Sequence, residues 1–130
     1  MIGGKVVDPS ALVAYVRGSV AMDSWLAVAK ELGIVLYVPA LVVIEVRTVC
    51  AVYPNTDTLL SRLLDHPSVV HSELSLAEAL KVIRLLDESR AWDGIAGQVI
   101  LVARQRRWPV LTTDPGQLQR IAPDLDVNML

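Results

Sequence analysis

Four acidic side chains stand where chemistry could use them: Asp8, Glu45, Asp93 and Asp114. Asp8 closes the apolar pair Val6-Val7 and precedes Pro9; Asp114 closes Val110-Leu111-Thr112-Thr113 and precedes Pro115. Asp93 falls in Trp92-Asp93-Gly94-Ile95-Ala96, and Glu45 in Ala40-Leu41-Val42-Val43-Ile44-Glu45-Val46. Carboxylates gathered in one place repel, and would protonate or separate unless a divalent cation held them. Oxygen-only donors suit Mg²⁺ or Mn²⁺ rather than zinc.

Each acid also has a plainer explanation. An aspartate before a helix that begins with proline is an ordinary cap, worth about 1 kcal/mol. Asp8 and Asp114 fit that description, and Asp93, followed by Gly94, reads as a plain N-cap at the start of its helix. Glu45 is harder to dismiss, because its segment reads as a helix apolar nearly all round, hence largely buried. An ionised carboxylate there costs several kcal/mol unless a cation compensates. Arg47 is two positions away and faces elsewhere. A distant Arg or Lys, or a metal ion, would have to satisfy the charge.

The elements that must position these acids follow from periodicity and punctuation. A short apolar run after Ile2 reads as a strand ending at Asp8, and Pro9-Ser10 open a helix, Ala11 to Arg17. A second helix, Asp23 to Leu32, stops at Gly33. Ile34 to Val38 is a continuous apolar run, as in a parallel strand buried on both faces. Pro39 begins a third helix expected to reach Tyr53-Pro54; Thr56 to His66 is a fourth, with leucines at 59, 60, 63 and 64 and Pro67 as its stop. Val69-Val70-His71 is a weaker strand, and Ser75 with Glu78 is a capping-box signature for a helix through about Glu88. Ala91 to Arg107 reads as a helix, Pro109 to Thr113 as a strand, Pro115 to Ile121 as a short helix and Asp126 to Asn128 as a last strand. Strands alternating with helices predict an α/β domain around a mostly parallel sheet. In such sheets ligands bind beyond the carboxyl ends of the strands, where Asp8 and Asp114 are expected.

The totals set limits on what such a site could belong to. At 130 residues the chain suits one domain, and 53% hydrophobic residues argue against disorder. Glu45, Arg47 and Gln98 interrupt the best apolar stretches before they reach the roughly 18 residues of a membrane helix. The first residues, Met1-Ile2-Gly3-Gly4-Lys5, lack the pattern of a secretory signal. The single cysteine, Cys50, cannot form an internal disulfide; a cytoplasmic protein with no membrane association is expected. With 12 basic against 14 acidic residues the net charge is −2, which argues against a general nucleic-acid coat but not against an enzyme acting on nucleic acid.

In these segments the chain resembles the PIN-domain family, and within it the VapC-type toxins of toxin–antitoxin pairs, over essentially its whole length. Val6-Val7-Asp8-Pro9-Ser10-Ala11-Leu12 looks like the family's opening strand with its first acid and a serine two residues on. Pro39 to Val46 looks like its glutamate helix, Trp92 to Ala96 like its aspartate segment, and Val110-Leu111-Thr112-Thr113-Asp114 like its closing strand. Pro9 and Gly94 replace commoner small residues, and Gly116 stands where many relatives carry another acid, so one-metal and two-metal chemistry both stay open. The resemblance implies a three-layer PIN-like fold and a metal-dependent endoribonuclease. Asp8, Glu45, Asp93 and Asp114 would be the ligands of Mg²⁺ or Mn²⁺, directly or through water. Ser10 and Thr112 would be hydroxyls orienting carboxylates or water; helix capping and strand propensity explain these two equally well. It also implies an RNA substrate, a homodimer and a cognate antitoxin covering the acidic groove. A nuclease of RNA maturation, or a silent interaction module that has kept the fold, are the rival readings. A phospho-receiver domain is set aside, since Asp8 stands alone and the last strands carry no lysine.

Among the remaining residues, His66 and His71 have no metal-ligand spacing and read as surface residues. Arg104, Arg106 and Arg107 end a helix, where the dipole favours cations; contact with RNA phosphate is the alternative. Trp25, Trp92 and Trp108 are expected in core or interface packing, and Cys50 as a small buried hydrophobe. The leucine-faced helix Thr56–His66 is a candidate interaction surface, although core burial explains it as well.

Overall fold

The structure, a computed structural model, describes residues 3–71 and 73–130, so Ile2 lies outside the described residues. The elements run β1 (Gly4–Val7), α1 (Pro9–Val16), α2 (Val20–Leu32), β2 (Val35–Val38), α3 (Ala40–Val49), α4 (Thr56–Leu64), β3 (Val69–His71), α5 (Leu76–Ser89), α6 (Gly94–Arg106), β4 (Val110–Thr112), α7 (Pro115–Ile121) and β5 (Val127–Met129). The five strands form one sheet in the order β3-β2-β1-β4-β5. Every pairing is parallel, so the sheet expected to be mostly parallel is wholly so among the described residues. The chain starts in the middle, builds outward through β2 and β3, then returns to the other side of β1 for β4. Neighbouring loops therefore diverge beyond the ends of β1 and β4, which is where open parallel sheets form their ligand crevice.

Both faces of the sheet are covered. Val6, Val7, Leu36, Val38, Val110 and Leu111 are fully buried, packed with Leu12, Met22, Val42, Val46, Val99 and Ile100 from the helices. The leucine face of α4 belongs to this core: Leu60 and Leu63 are buried, with Leu59 and Leu64 packed partly against them. That helix is accordingly no free interaction surface along its leucines. Gly4 is glycine for a steric reason, since a Cβ there would come within 2.6 Å of the Trp108 ring that closes this end of the sheet.

Caps decide the boundaries. Asp8 caps α1 by accepting from the Ala11 amide, with Pro9 pre-set for the first turn. Ser19 caps α2 through the Met22 amide, which starts that helix at Val20, before the expected Asp23, and Gly33 ends it at φ 70°. The third helix ends at Val49, short of Tyr53-Pro54. The Thr56 hydroxyl lies against the Cys50 carbonyl at 2.7 Å and the Tyr53 carbonyl at 3.0 Å, fixing a tight turn where more helix was expected. Likewise α6 begins at Gly94 rather than Ala91, because Asp93 caps it.

The burial differs from expectation at two places. The apolar segment around Glu45 is not buried all round: α3 sinks only Val42 and Val46 fully into the core, while Ile44 and Val49 are 64% and 55% exposed. An apolar count says nothing about which side has a neighbour, and α3 meets the molecule along one stripe. Trp92, expected in core or interface packing, is 97% exposed and so lies outside the core, whereas Trp25 and Trp108 pack against it. Cys50 is buried as expected. No described helix is long and apolar enough to cross a membrane.

Candidate active site

The β1–α1 and β4–α7 junctions lie side by side because β1 pairs with β4. Asp8, 4% exposed, sits at the first junction and is held from several directions. Its Oδ1 accepts from the Ser10 hydroxyl at 2.7 Å and the Ala11 amide at 2.9 Å; its Oδ2 accepts from the Thr112 hydroxyl at 2.5 Å. Each hydroxyl thus spends its one proton on Asp8, so the 3.1 Å between Ser10 and Thr112 is a contact rather than a further bond. Their lone pairs accept in turn: the Thr113 amide donates to Ser10 at 2.9 Å and the Asp114 amide to Thr112 at 3.0 Å. Ser10 and Thr112 therefore orient Asp8 and tie the two junctions together. Burial pushes the Asp8 carboxyl above the ordinary aspartate value, and the donations from Thr112, Ala11 and Ser10 oppose it. With three of about four lone-pair positions taken, one on Oδ2 remains.

Asp93 is fixed in a comparable way at the start of α6. Its Oδ1 accepts from the Ala96 amide at 3.0 Å and its Oδ2 from the Gln117 amide group at 2.5 Å. Capping and cavity lining are thus not alternatives for Asp8 or Asp93; each carboxylate does both. Asp114 differs. It occupies the N-cap position of α7 but makes no side-chain capping bond, and it is exposed. Glu45 is half-buried, and Arg47 pairs instead with Asp57 across 2.5 Å on the surface. Among the described residues neither Glu45 nor Asp114 has a side-chain partner.

All four acids line one cavity of about 420 Å³, together with Ser10, Val13, Arg17, Val49, Thr113 and Gln117. Arg17 is the cation on this wall; its guanidinium also lies 5.9 Å from the Tyr53 ring. The acids surround the space without closing on a point: the described residues include no set of three or more His, Cys, Asp or Glu side chains grouped closely enough to hold a metal ion. The donor chemistry still fits a hard cation. Mg²⁺ keeps several waters and takes one or two carboxylates, with phosphate oxygens completing its shell. A carboxylate with a lone pair left over, a second fixed beside the cavity and two unpaired acids on its walls suit that mode of binding.

Two contributors escaped the sequence reading. Gln117 stands three residues after Asp114, the place a capping-box partner would occupy, so an Asp-x-x-Gln scan would have marked it. Its side chain goes to Asp93 instead. Arg17 had no signal beyond its position at the end of α1. The arginines that end α6 lie elsewhere: Arg104 pairs with Asp124 at 3.0 Å, and Arg106 stacks on Tyr37 and Trp108. His71 is exposed, and His66 accepts from the Ser68 amide through Nδ1.

No protein-family model and no curated protein sequence matches the chain. Among solved structures, it is similar to a chain of VapBC2 from Rickettsia felis, crystallised bound to a DNA fragment from their promoter. The two share 12% identity with a TM-score of 0.70, over 98% of this chain and 98% of that one. At that identity the likeness is one of fold: a parallel sheet flanked by helices, the α/β architecture that the resemblance to PIN domains implied.

Proposed function

We propose that the chain is a divalent-metal-dependent endoribonuclease that hydrolyses RNA phosphodiester bonds, and the toxin of a type II toxin–antitoxin pair. The observation that carries this reading is the meeting of Asp8, Glu45, Asp93 and Asp114, far apart in sequence, around one cavity at the switch point of the sheet. When bound there, Mg²⁺ or Mn²⁺ supplies an activated water and neutralises charge on the phosphodiester. The chain's own part is to place donors. Asp8 and Asp93 are locked by their hydrogen bonds and present fixed oxygens, whereas Glu45 and Asp114 are free to turn toward an ion or its waters. The N-termini of α1 and α6 add partial positive charge near their capping acids, which favours a phosphate arriving close by. Arg17 brings a full positive charge to the same wall.

The toxin assignment draws on the similarity to a VapBC2 chain and on the surface around the cavity. Ile44, Val49, Val52 and Tyr53 are exposed apolar side chains, and Val49 lines the cavity itself. Such a surface suits cover by an antitoxin segment, with a homodimer formed elsewhere on the molecule. On this reading the 130 residues act as a single cytoplasmic domain. The open spacing of the acids favours one rival, a silent interaction module, and one assay separates the two. Purified protein is incubated with RNA in Mg²⁺ or Mn²⁺, then with excess chelator. Metal-dependent cleavage that disappears in Asp8→Asn and Asp93→Asn, both still folded, supports the nuclease. No cleavage and Mn²⁺ binding that both substitutions leave unchanged would refute the site.

A further inference from the structure

We propose that Gln98 is a positioning residue of the acidic site: it clamps the first turn of α3 to α6 and α5, and so sets where Glu45 stands relative to Asp93. The proposal rests on the divalent-ion reading above. Pro39 is the N-cap of α3 and offers no side-chain acceptor, so the first amides of that helix need one from elsewhere. Gln98, on α6 and 2% exposed, provides it: its Oε1 accepts from the Leu41 amide at 3.0 Å. The other end of the same amide group donates through Nε2 to Glu78 of α5 at 3.1 Å. The two partners demand one orientation, since a backbone N–H requires the oxygen and a carboxylate requires the NH₂.

Two local features make this link possible. Glu78 occupies the capping-box position three residues after Ser75, whose hydroxyl accepts from the Glu78 amide at 3.0 Å. The expected reciprocal bond gives way to the one with Gln98. Gly97 lets α5 come near enough, because a Cβ there would meet Val82 at 2.9 Å and Leu86 at 3.0 Å. The consequence for the site follows from helical geometry. Glu45 lies four residues after Leu41, one turn along the same face. Packing of Val42 and Val46 holds α3 against the core along its length, and the Gln98 bond is the polar tie that fixes its first turn relative to α6.

The test compares full-length wild type with Gln98→Met, nearly equal in shape but unable to make either bond, and with Glu78→Gln, whose carbonyl still accepts from Nε2. Amide hydrogen exchange reads the clamp, and calorimetric Mn²⁺ titration reads the site. In Gln98→Met, Leu41 exchanges markedly faster and Mn²⁺ affinity falls about tenfold, as for other residues that orient ligands from behind. RNA cleavage returns when Mn²⁺ is raised, and Glu78→Gln stays close to wild type on both readouts. A cap serving stability alone would accelerate exchange and leave Mn²⁺ affinity unchanged, which overturns the proposal, as does unchanged exchange at Leu41. Wild type that binds no Mn²⁺ overturns the nuclease reading and this one with it. If Gln98→Met does not fold, Glu78→Leu carries the comparison: weaker Mn²⁺ binding supports the clamp, unchanged binding contradicts it.

Discussion

The two ends of the sheet are built on opposite principles. At the carboxyl ends of β1 and β4, four carboxylates line a cavity, and two of them, Glu45 and Asp114, have no side-chain partner among the described residues. At the amino ends three cations are already engaged. Arg106 lies 4.5 Å from the Tyr37 ring and 5.2 Å from Trp108, Lys5 lies 5.5 Å from Trp25, and Arg104 pairs with Asp124. Three cations at one end have partners within the chain; at the other, two acids beside the cavity have none among the described residues. Residues that only stabilise are expected to be satisfied locally, and the unpaired acids are the reason the proposed function is placed at the acidic end.

The largest effect expected from this contrast is on cleavage. Losing a ligand of a catalytic ion removes several kcal/mol of transition-state stabilisation, so Asp8→Asn or Asp93→Asn is expected to slow metal-dependent RNA cleavage by about a thousandfold or more. Arg106→Ala, at the other end, should leave the rate within about threefold of wild type, a change under 1 kcal/mol. Comparable losses at both ends, measured as single-turnover rates, would dissolve the contrast.

A second effect concerns pH. Burial raises the Asp8 carboxyl above its ordinary value, so the folded state holds the proton more firmly than the unfolded chain. In chelator, the Asp8 contribution to stability is therefore fully present below the ordinary aspartate pKa and is lost as pH rises through the raised folded value. Asp8→Asn, with nothing to ionise, should show no such decline. Thermal melts across that window check the sign; a wild type that gains stability relative to Asp8→Asn as pH rises there would reverse it.

Smaller effects belong to the cationic end. Arg106→Ala removes a guanidinium stacked against two rings and should cost about 1 kcal/mol of stability, read by denaturant titration. Arg104→Ala breaks an exposed pair whose partners are 43% and 76% accessible, and should cost less stability than Arg106→Ala. If either cost exceeded that of removing a buried core side chain, the division between the ends would need redrawing.

Much of this was legible in the sequence, and the exceptions share a cause. β1, α1 and α7 announced themselves through an apolar run or an Asp-Pro start, signals carried by adjacent residues. The four acids could be nominated because each sat at an element boundary or within an apolar segment. Their two Asp-Pro junctions look alike in sequence yet differ in space: Asp8 is buried with three donors, and Asp114 is exposed with none. Only the pairing of β1 with β4 brings Thr112 to Asp8, and no local pattern encodes that. The same applies to Glu78 and Gln117, which stand where capping boxes place them but turn to Gln98 and Asp93 on α6. Local rules assigned their positions; the helix packed alongside assigned their partners. The exposure of α3 escaped for the related reason that hydrophobicity reports what a face is made of and not whether a neighbour covers it.

The most direct measurement is anomalous diffraction from a crystal soaked in Mn²⁺. A peak is expected inside the cavity at direct-ligand distance from a carboxylate oxygen of Asp8 or Asp93, with Glu45 or Asp114 turned toward it or its waters. A crystal with full Mn²⁺ access and no peak among these four side chains would contradict that expectation.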